Sequence, residues 1–95
     1  MKKYELTNET IQIEGKKLHR IKALIDFGDV KAGDLGGFIE KESNLRHLGN
    51  AWVCDDARVY GNASVCGNAR VCDDARVYGN ASVCGNARVC DDARV

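Results

Sequence analysis

The chain has 95 residues, which fits one domain, and fourteen basic residues balance fourteen acidic ones. That balance lacks the basic excess of a typical nucleic-acid binder, and no apolar run approaches the roughly 18 residues of a membrane span. The N-terminus MKKYELTNET has a basic start but no apolar core, so it does not read as a secretory signal. The five cysteines are odd in number and come without an export signal, so a reduced, cytoplasmic chain is expected.

The first part of the chain is compositionally distinct. All seven lysines and all five glutamates precede residue 49. Residues 10–24, TIQIEGKKLHRIKAL, read as two strands around a Glu14-Gly15-Lys16-Lys17 turn. Residues 27–45, FGDVKAGDLGGFIEKESNL, supply turns that lead into the repetitive second half. Residues 1–43 are therefore expected to form a β-hairpin cap with a lead-in segment. Asp26-Phe27-Gly28 matches a kinase triplet, but no other kinase element is present. Gly33-Asp34-Leu35-Gly36-Gly37 is Gly-rich but lacks the GK[ST] ending of a phosphate loop. Both read as turns.

From residue 49 the chain divides into sixes: GNAWVC, DDARVY, GNASVC, GNARVC, DDARVY, GNASVC, GNARVC, DDARV. Ala recurs at 51, 57, 63, 69, 75, 81, 87 and 93, and Val two places after each. The A-x-V-x alternation is a strand signal, with Ala and Val on one side. Gly-Asn and Asp-Asp tolerate left-handed backbone and mark corners. Each six is thus one short strand and one corner. The exact repeat of DDARVYGNASVCGNARVC at 55–72 and 73–90 makes three strands, eighteen residues, the larger period. Coils of that period stack at the usual strand spacing of about 4.8 Å, with Ala and Val filling a narrow interior. Extending the pattern backwards places Leu45 in the Ala position and His47 in the Val position, so residues 44–95 are expected to form the repeat body.

Val53-Cys54-Asp55-Asp56-Ala57-Arg58 and the units after it resemble the hexapeptide-repeat family. The resemblance implies an all-β fold, a left-handed parallel β-helix of about three coils at 18 residues per coil, with the N-terminal β-hairpin as cap. Residues 26–53 are similar to uncharacterised members found in bacteria and phages.

Enzymes of that family set the chemistry to look for. Its acyltransferases use a His general base and a loop projecting from the helix. Here there are only His19 in the cap and His47 before the repeats, and no insertion breaks the sixes after 49. Its carbonic anhydrases bind zinc through three histidines, one more than this chain has. Cys54, Cys72 and Cys90 share one face and Cys66 and Cys84 another, yet their spacing matches no zinc motif. Bridging looks doubtful at strand spacing, because disulfides want Cβ atoms nearer 3.8 Å. The Asp pairs at 55/56, 73/74 and 91/92 stack at one corner, where Arg58, Arg76 and Arg94 offset them. Arg58, Tyr60, Arg76, Tyr78 and Arg94 share the first face; interleaved Arg and aromatic residues suit nucleic acid, but the adjacent Asp ladder opposes it. Ser64, Cys66, Ser82 and Cys84, with Leu48 nearby, mark the second face, and Trp52, Arg70 and Arg88 the third. Two threonines, Thr7 and Thr10, cannot build an ice-binding ladder.

No catalytic, cofactor or metal residue is assigned from these patterns. The expectation is a non-enzymatic protein-binding or scaffold protein, acting through flat faces as a homo-oligomer, with a phage-encoded inhibitor of a host system as one concrete version. A degenerate or partner-dependent acyltransferase is the alternative. The candidate interface is Trp52, Arg58, Tyr60, Arg76, Tyr78, Arg94 and Val95. The last strand breaks off at Val95, which points to an end-to-end dimer through the C-terminal coil, with a lateral trimer or a native chain that continues beyond Val95 as the alternatives.

Overall fold

A computed structural model describes residues 2–47, 49–91 and 94. The chain opens with the hairpin β1 (Tyr4–Ile13) and β2 (Lys16–Ala23), paired antiparallel. Its turn is the dipeptide Glu14-Gly15, with φ of 51° and 79°. Two successive left-handed residues give the turn whose twist matches the strands it joins. The hairpin is longer than the sequence pattern indicates, because β1 begins at Tyr4. β2 then pairs antiparallel with β3 (Leu35–Ile39). The repeat strands are short: β4 (Trp52–Val53), β5 (Arg58–Val59), β6 (Ser64–Val65), β7 (Arg70–Val71), β8 (Arg76–Val77), β9 (Ser82–Val83) and β10 (Arg88–Val89). β3 runs parallel to β5, so one five-stranded sheet, β1-β2-β3-β5-β8, joins hairpin and repeats.

Each repeat strand has two residues where the alternation suggested four, because a corner intervenes every six. They stack in register on three faces. Arg58 lies beside Arg76, Ser64 beside Ser82, and Trp52 beside Arg70, which lies beside Arg88. All these pairs are parallel, and each is eighteen positions apart. Ala51, Ala57, Ala63, Ala69 and Ala75 are buried, as is every Val of the repeat from Val53 to Val89. The inward columns are those read from the alternation.

The corners explain the choice between Gly and Asp. Asp55, Asp73 and Asp91 sit at φ of 56°, 58° and 59°, in the same left-handed region as the corner glycines. That conformation is less costly for Asp than for most side chains. Asp also adds a bond: the Asp55 carboxylate accepts the Asp73 N–H at 3.3 Å, and the Asp73 carboxylate accepts the Asp91 N–H at 3.4 Å. The acidic ladder is therefore held by backbone donors of the next layer.

The register is offset at its start. Phe38 lies opposite Arg58 and Leu45 opposite Val65, both twenty positions apart. By Asn50 the step has returned to the repeat value, with Asn50 N–H donating to Gly67 O at 3.1 Å. Two additional residues are thus accommodated between Arg46 and Gly49. This corrects the extrapolated pattern: Leu45 occupies a Val position and is fully buried, and His47 falls in the insertion rather than in the core.

Side chains finish the N-terminal rim, where backbone carbonyls lack a preceding layer to pair with. Lys3 Nζ donates to Ala51 O at 2.6 Å and Gly49 O at 3.3 Å, and lies over the Phe27 ring. Burial lowers its pKa to about 8. Tyr4 Oη donates to Leu45 O at 2.6 Å. Burial, then the charge of Glu42, pushes this phenol above its ordinary range. Asn44, at the end of a 3-10 turn (Glu42–Asn44), donates to Ala63 O at 2.8 Å and accepts the N–H groups of Glu40 and Lys41. Arg20 donates to Gly36 O at 2.6 Å and pairs with Glu9 and Asp56. Buried carbonyls must find a donor, and here four polar side chains act in place of a strand.

Candidate functional site

The candidate interface residues do not share one surface. Trp52 points away from the prism as the alternation requires, yet it is only 3% exposed. Tyr4 and Phe27 meet its ring edge-on at 6.4 and 5.3 Å between centroids. The cap covers it, so Trp52 offers no surface to a partner. Tyr60 is likewise buried, packed with Leu18 and Phe38 under the hairpin. Its hydroxyl donates to Glu14 at 3.3 Å, and its pKa is raised first by burial and then by that carboxylate. The hairpin thus covers part of the first face as well as the end of the stack. Val95 lies outside the described residues, as does Leu48.

Four of the seven remain at the surface. Arg58, Arg76 and Arg94 form an in-register column. Tyr78 is exposed and stacks on Tyr60 at 5.5 Å and 12°. A groove of about 480 Å³ is lined by Arg58, Asp74, Arg76 and Arg94. A second, of about 370 Å³, runs between Glu14, Lys16, Tyr60 and Tyr78. The sequence pattern pairs these arginines with the aspartates of the adjoining corner. Instead, none of the three forms an ion pair among the described residues, while Asp56 pairs with Arg20.

The two histidines have structural partners. His47 stacks flat on Tyr4, 4.2 Å between centroids. Its Nδ1 accepts the Lys3 N–H at 3.2 Å, so Nε2 carries the proton and donates to Glu42 at 3.0 Å. That bond, with one from Lys2, holds the Glu42 carboxyl below its ordinary pKa. Both ring nitrogens are engaged, which leaves no lone pair for a general base. His19 donates from Nδ1 to Thr7 O at 3.1 Å on the hairpin, its Nε2 has no partner among the described residues, and it lines neither groove.

The cysteine columns are where the structure departs most from the spacing argument. Cys54 is bridged to Cys72 and Cys66 to Cys84, with Cys90 free. The Cα separations, 4.7 and 4.6 Å, lie within the range disulfides accept, so strand spacing does not forbid bridging. The ligand atoms of Cys54, Asp55 and Cys72 lie within 4.8 Å of one another, but a bridged sulfur is no thiolate and cannot serve a metal as one. Protein purified in air and unfolded without reductant is expected to titrate one thiol per chain, rising to all five after reduction. Five thiols before reduction would show that the bridges do not form.

Comparison with known proteins agrees with this geometry. Residues 51–67 and 69–85 match the YdcK beta solenoid repeat. This is a hexapeptide-repeat β-solenoid. Over 74 residues, 68% of the chain, it is 39% identical to the protein named "Uncharacterized acetyltransferase YdcK" of Escherichia coli (strain K12). The solenoid spans 23% of that relative's length. No helix among the described residues is long and apolar enough to cross a membrane.

Proposed function

We propose that the chain is a left-handed β-helix of about three coils, eighteen residues each, and that it acts without catalysis as a binding scaffold in the cytoplasm. Residues 1–43 cap the repeat body of 44–95. The observation that carries this reading is the uninterrupted stacking from Gly49 onward. Each strand is followed at once by a corner whose backbone bonds to the next layer, so among the described residues no loop projects from the repeats to enclose a reactive group. Arg58, Arg76, Tyr78 and Arg94 supply the contact face. Association with further copies of the same chain belongs to this reading, and light scattering that finds only monomer at working concentration removes that part. A phage-encoded inhibitor has no observation behind it.

The second reading is an acyltransferase. It is favoured by the name of the relative and by His19, whose Nδ1 bond to Thr7 orients an Nε2 that has no partner among the described residues. Fold alone does not decide between the two. The chain is to be incubated with acetyl-CoA and a set of amine and hydroxyl acceptors, and free CoA measured by chromatography. The scaffold reading expects no release above buffer. Release that disappears in His19→Asn would replace it with the enzyme.

A further inference from the structure

The arginine column is unusual for a chain with no net charge. Arg58 and Arg76 are direct partners in a parallel pair, and Arg76 and Arg94 repeat the arrangement. Like charges placed directly opposite destabilise a sheet unless something offsets them. Nothing among the described residues does so by contact. Asp74 lines the same groove but pairs with none of the three. The ordinary remedy, a carboxylate from the Asp corner, is engaged elsewhere: Asp55 and Asp73 accept backbone N–H groups, and Asp56 is taken by Arg20.

A second observation concerns Arg58 itself. Its Nε is buried and has no hydrogen-bond partner among the described residues. An enclosed guanidinium N–H without an acceptor costs free energy, more than a neutral donor does. Arg58 also lines the groove of about 480 Å³, beside Arg76 and Arg94. Three cations along one line, one of them under-satisfied, face a groove with one carboxylate among its described lining residues, while Glu14 lies in the adjoining groove beside Arg76 and Arg94.

We propose that this groove binds a small ligand carrying two or more linked phosphate groups. Three features select that chemistry. Guanidinium forks match phosphate oxygens in shape and give charge-assisted bonds of about twice the strength of neutral ones. The column repeats at the strand spacing of about 4.8 Å, so one isolated anion leaves an arginine uncompensated, while a linked pair spans neighbours. The groove is polar, which suits an anion rather than an apolar group. The site stands independently of the scaffold reading, because it needs neither a protein partner nor a second copy.

Calorimetric titration of the full chain with inorganic tripolyphosphate at physiological salt tests it. Saturable binding is expected, about tenfold weaker or more in Arg76→Gln and in Arg94→Gln, since each loses a charge-assisted bond. Arg88→Gln, on another face, is expected to bind as the parent does. Orthophosphate is expected to bind more weakly than tripolyphosphate. Emission from Trp52, the single tryptophan, verifies that each variant is folded, and the exposed Arg94 gives a usable variant if Arg76→Gln is not. Absence of saturable binding overturns the site. So does equal loss in Arg88→Gln, which marks diffuse charge attraction, and so does orthophosphate binding as tightly as tripolyphosphate.

Discussion

Replacing Asn44 by leucine is expected to cost about 3 kcal/mol of stability, although the two side chains branch alike and have equal numbers of heavy atoms. Asn44 is fully buried. Its amide donates to Ala63 O at 2.8 Å and to Gly61 O at 3.3 Å, and its oxygen accepts the Lys41 and Glu40 N–H groups at 2.9 and 3.1 Å. Leucine satisfies none of these; the Glu40 N–H keeps its bond to Val59 O, but each of the other buried backbone groups left unpaired costs about 1–3 kcal/mol. The apolar gain offsets only about 1–2 kcal/mol of that. In a domain of this size each kcal/mol lowers Tm by about 4–8 °C, so a fall of more than about 10 °C is expected. Urea unfolding followed by Trp52 emission gives the value. A change below about 1 kcal/mol would mean that water or backbone movement replaces the Asn44 bonds.

Gly37→Ala is expected to be at least as damaging, for a steric reason. A Cβ at this position would stand 2.6 Å from Ala57 O and 2.7 Å from Val53 Cγ1. Ala57 O is the acceptor for the Phe38 N–H, the bond that seats β3 on the repeat body. The added methyl therefore pushes β3 off β5 at the place where hairpin and repeats join. Overpacking in a filled core costs about 1–3 kcal/mol, and loss of the ladder bond adds to it. Gly33→Ala is the useful contrast, because nothing lies within 4 Å of its Cβ and only backbone strain at φ of 94° opposes it. A loss of about 3 kcal/mol or more is expected for Gly37→Ala against about 1–2 for Gly33→Ala. The emission of Trp52 should move to longer wavelength in the first alone, as Tyr4 and Phe27 leave its ring. Equal losses in the two variants would remove the steric argument.

The repeats were legible because their physics is local. A six-residue period with alternating Ala and Val allows one inward side, and the structure buries its valines from Val53 to Val89 and its alanines from Ala51 to Ala75. The hairpin was legible for the same reason, with Glu14-Gly15 at its turn. What misled was extension of the period beyond the regular sixes. Leu45 and His47 have the right spacing to continue the Ala and Val columns, but two more residues fit between Arg46 and Gly49, and Leu45 takes the Val position. No count of sixes reveals that insertion, because it becomes visible only when a neighbouring layer fixes the register.

The surface was read less well. Trp52 and Tyr60 alternate outward as expected, and both are buried because a distant segment lies over them. The signal available was size: large aromatic side chains stand in a column otherwise filled by Arg, Ser and Cys. Spacing likewise brought Cys54 near Cys72 but did not tell how closely two in-register neighbours approach. The arginine column was visible in DDARVY, yet its want of ion-pair partners among the described residues was not. That depended on Asp55 and Asp73 turning to backbone N–H groups and on Asp56 meeting Arg20.

Period and turn chemistry act within six residues, so the linear order of amino acids was enough to place the short strands from Trp52 to Val89 and to turn their valines inward. How the stack begins was left to the folded arrangement. Lys3, Tyr4 and Asn44 are each separated by many positions from the carbonyls they satisfy, and nothing in their own neighbourhoods announces the role. An unpaired carbonyl exists only once layers are stacked, so the residue that satisfies it is chosen by which segments the fold brings to the rim.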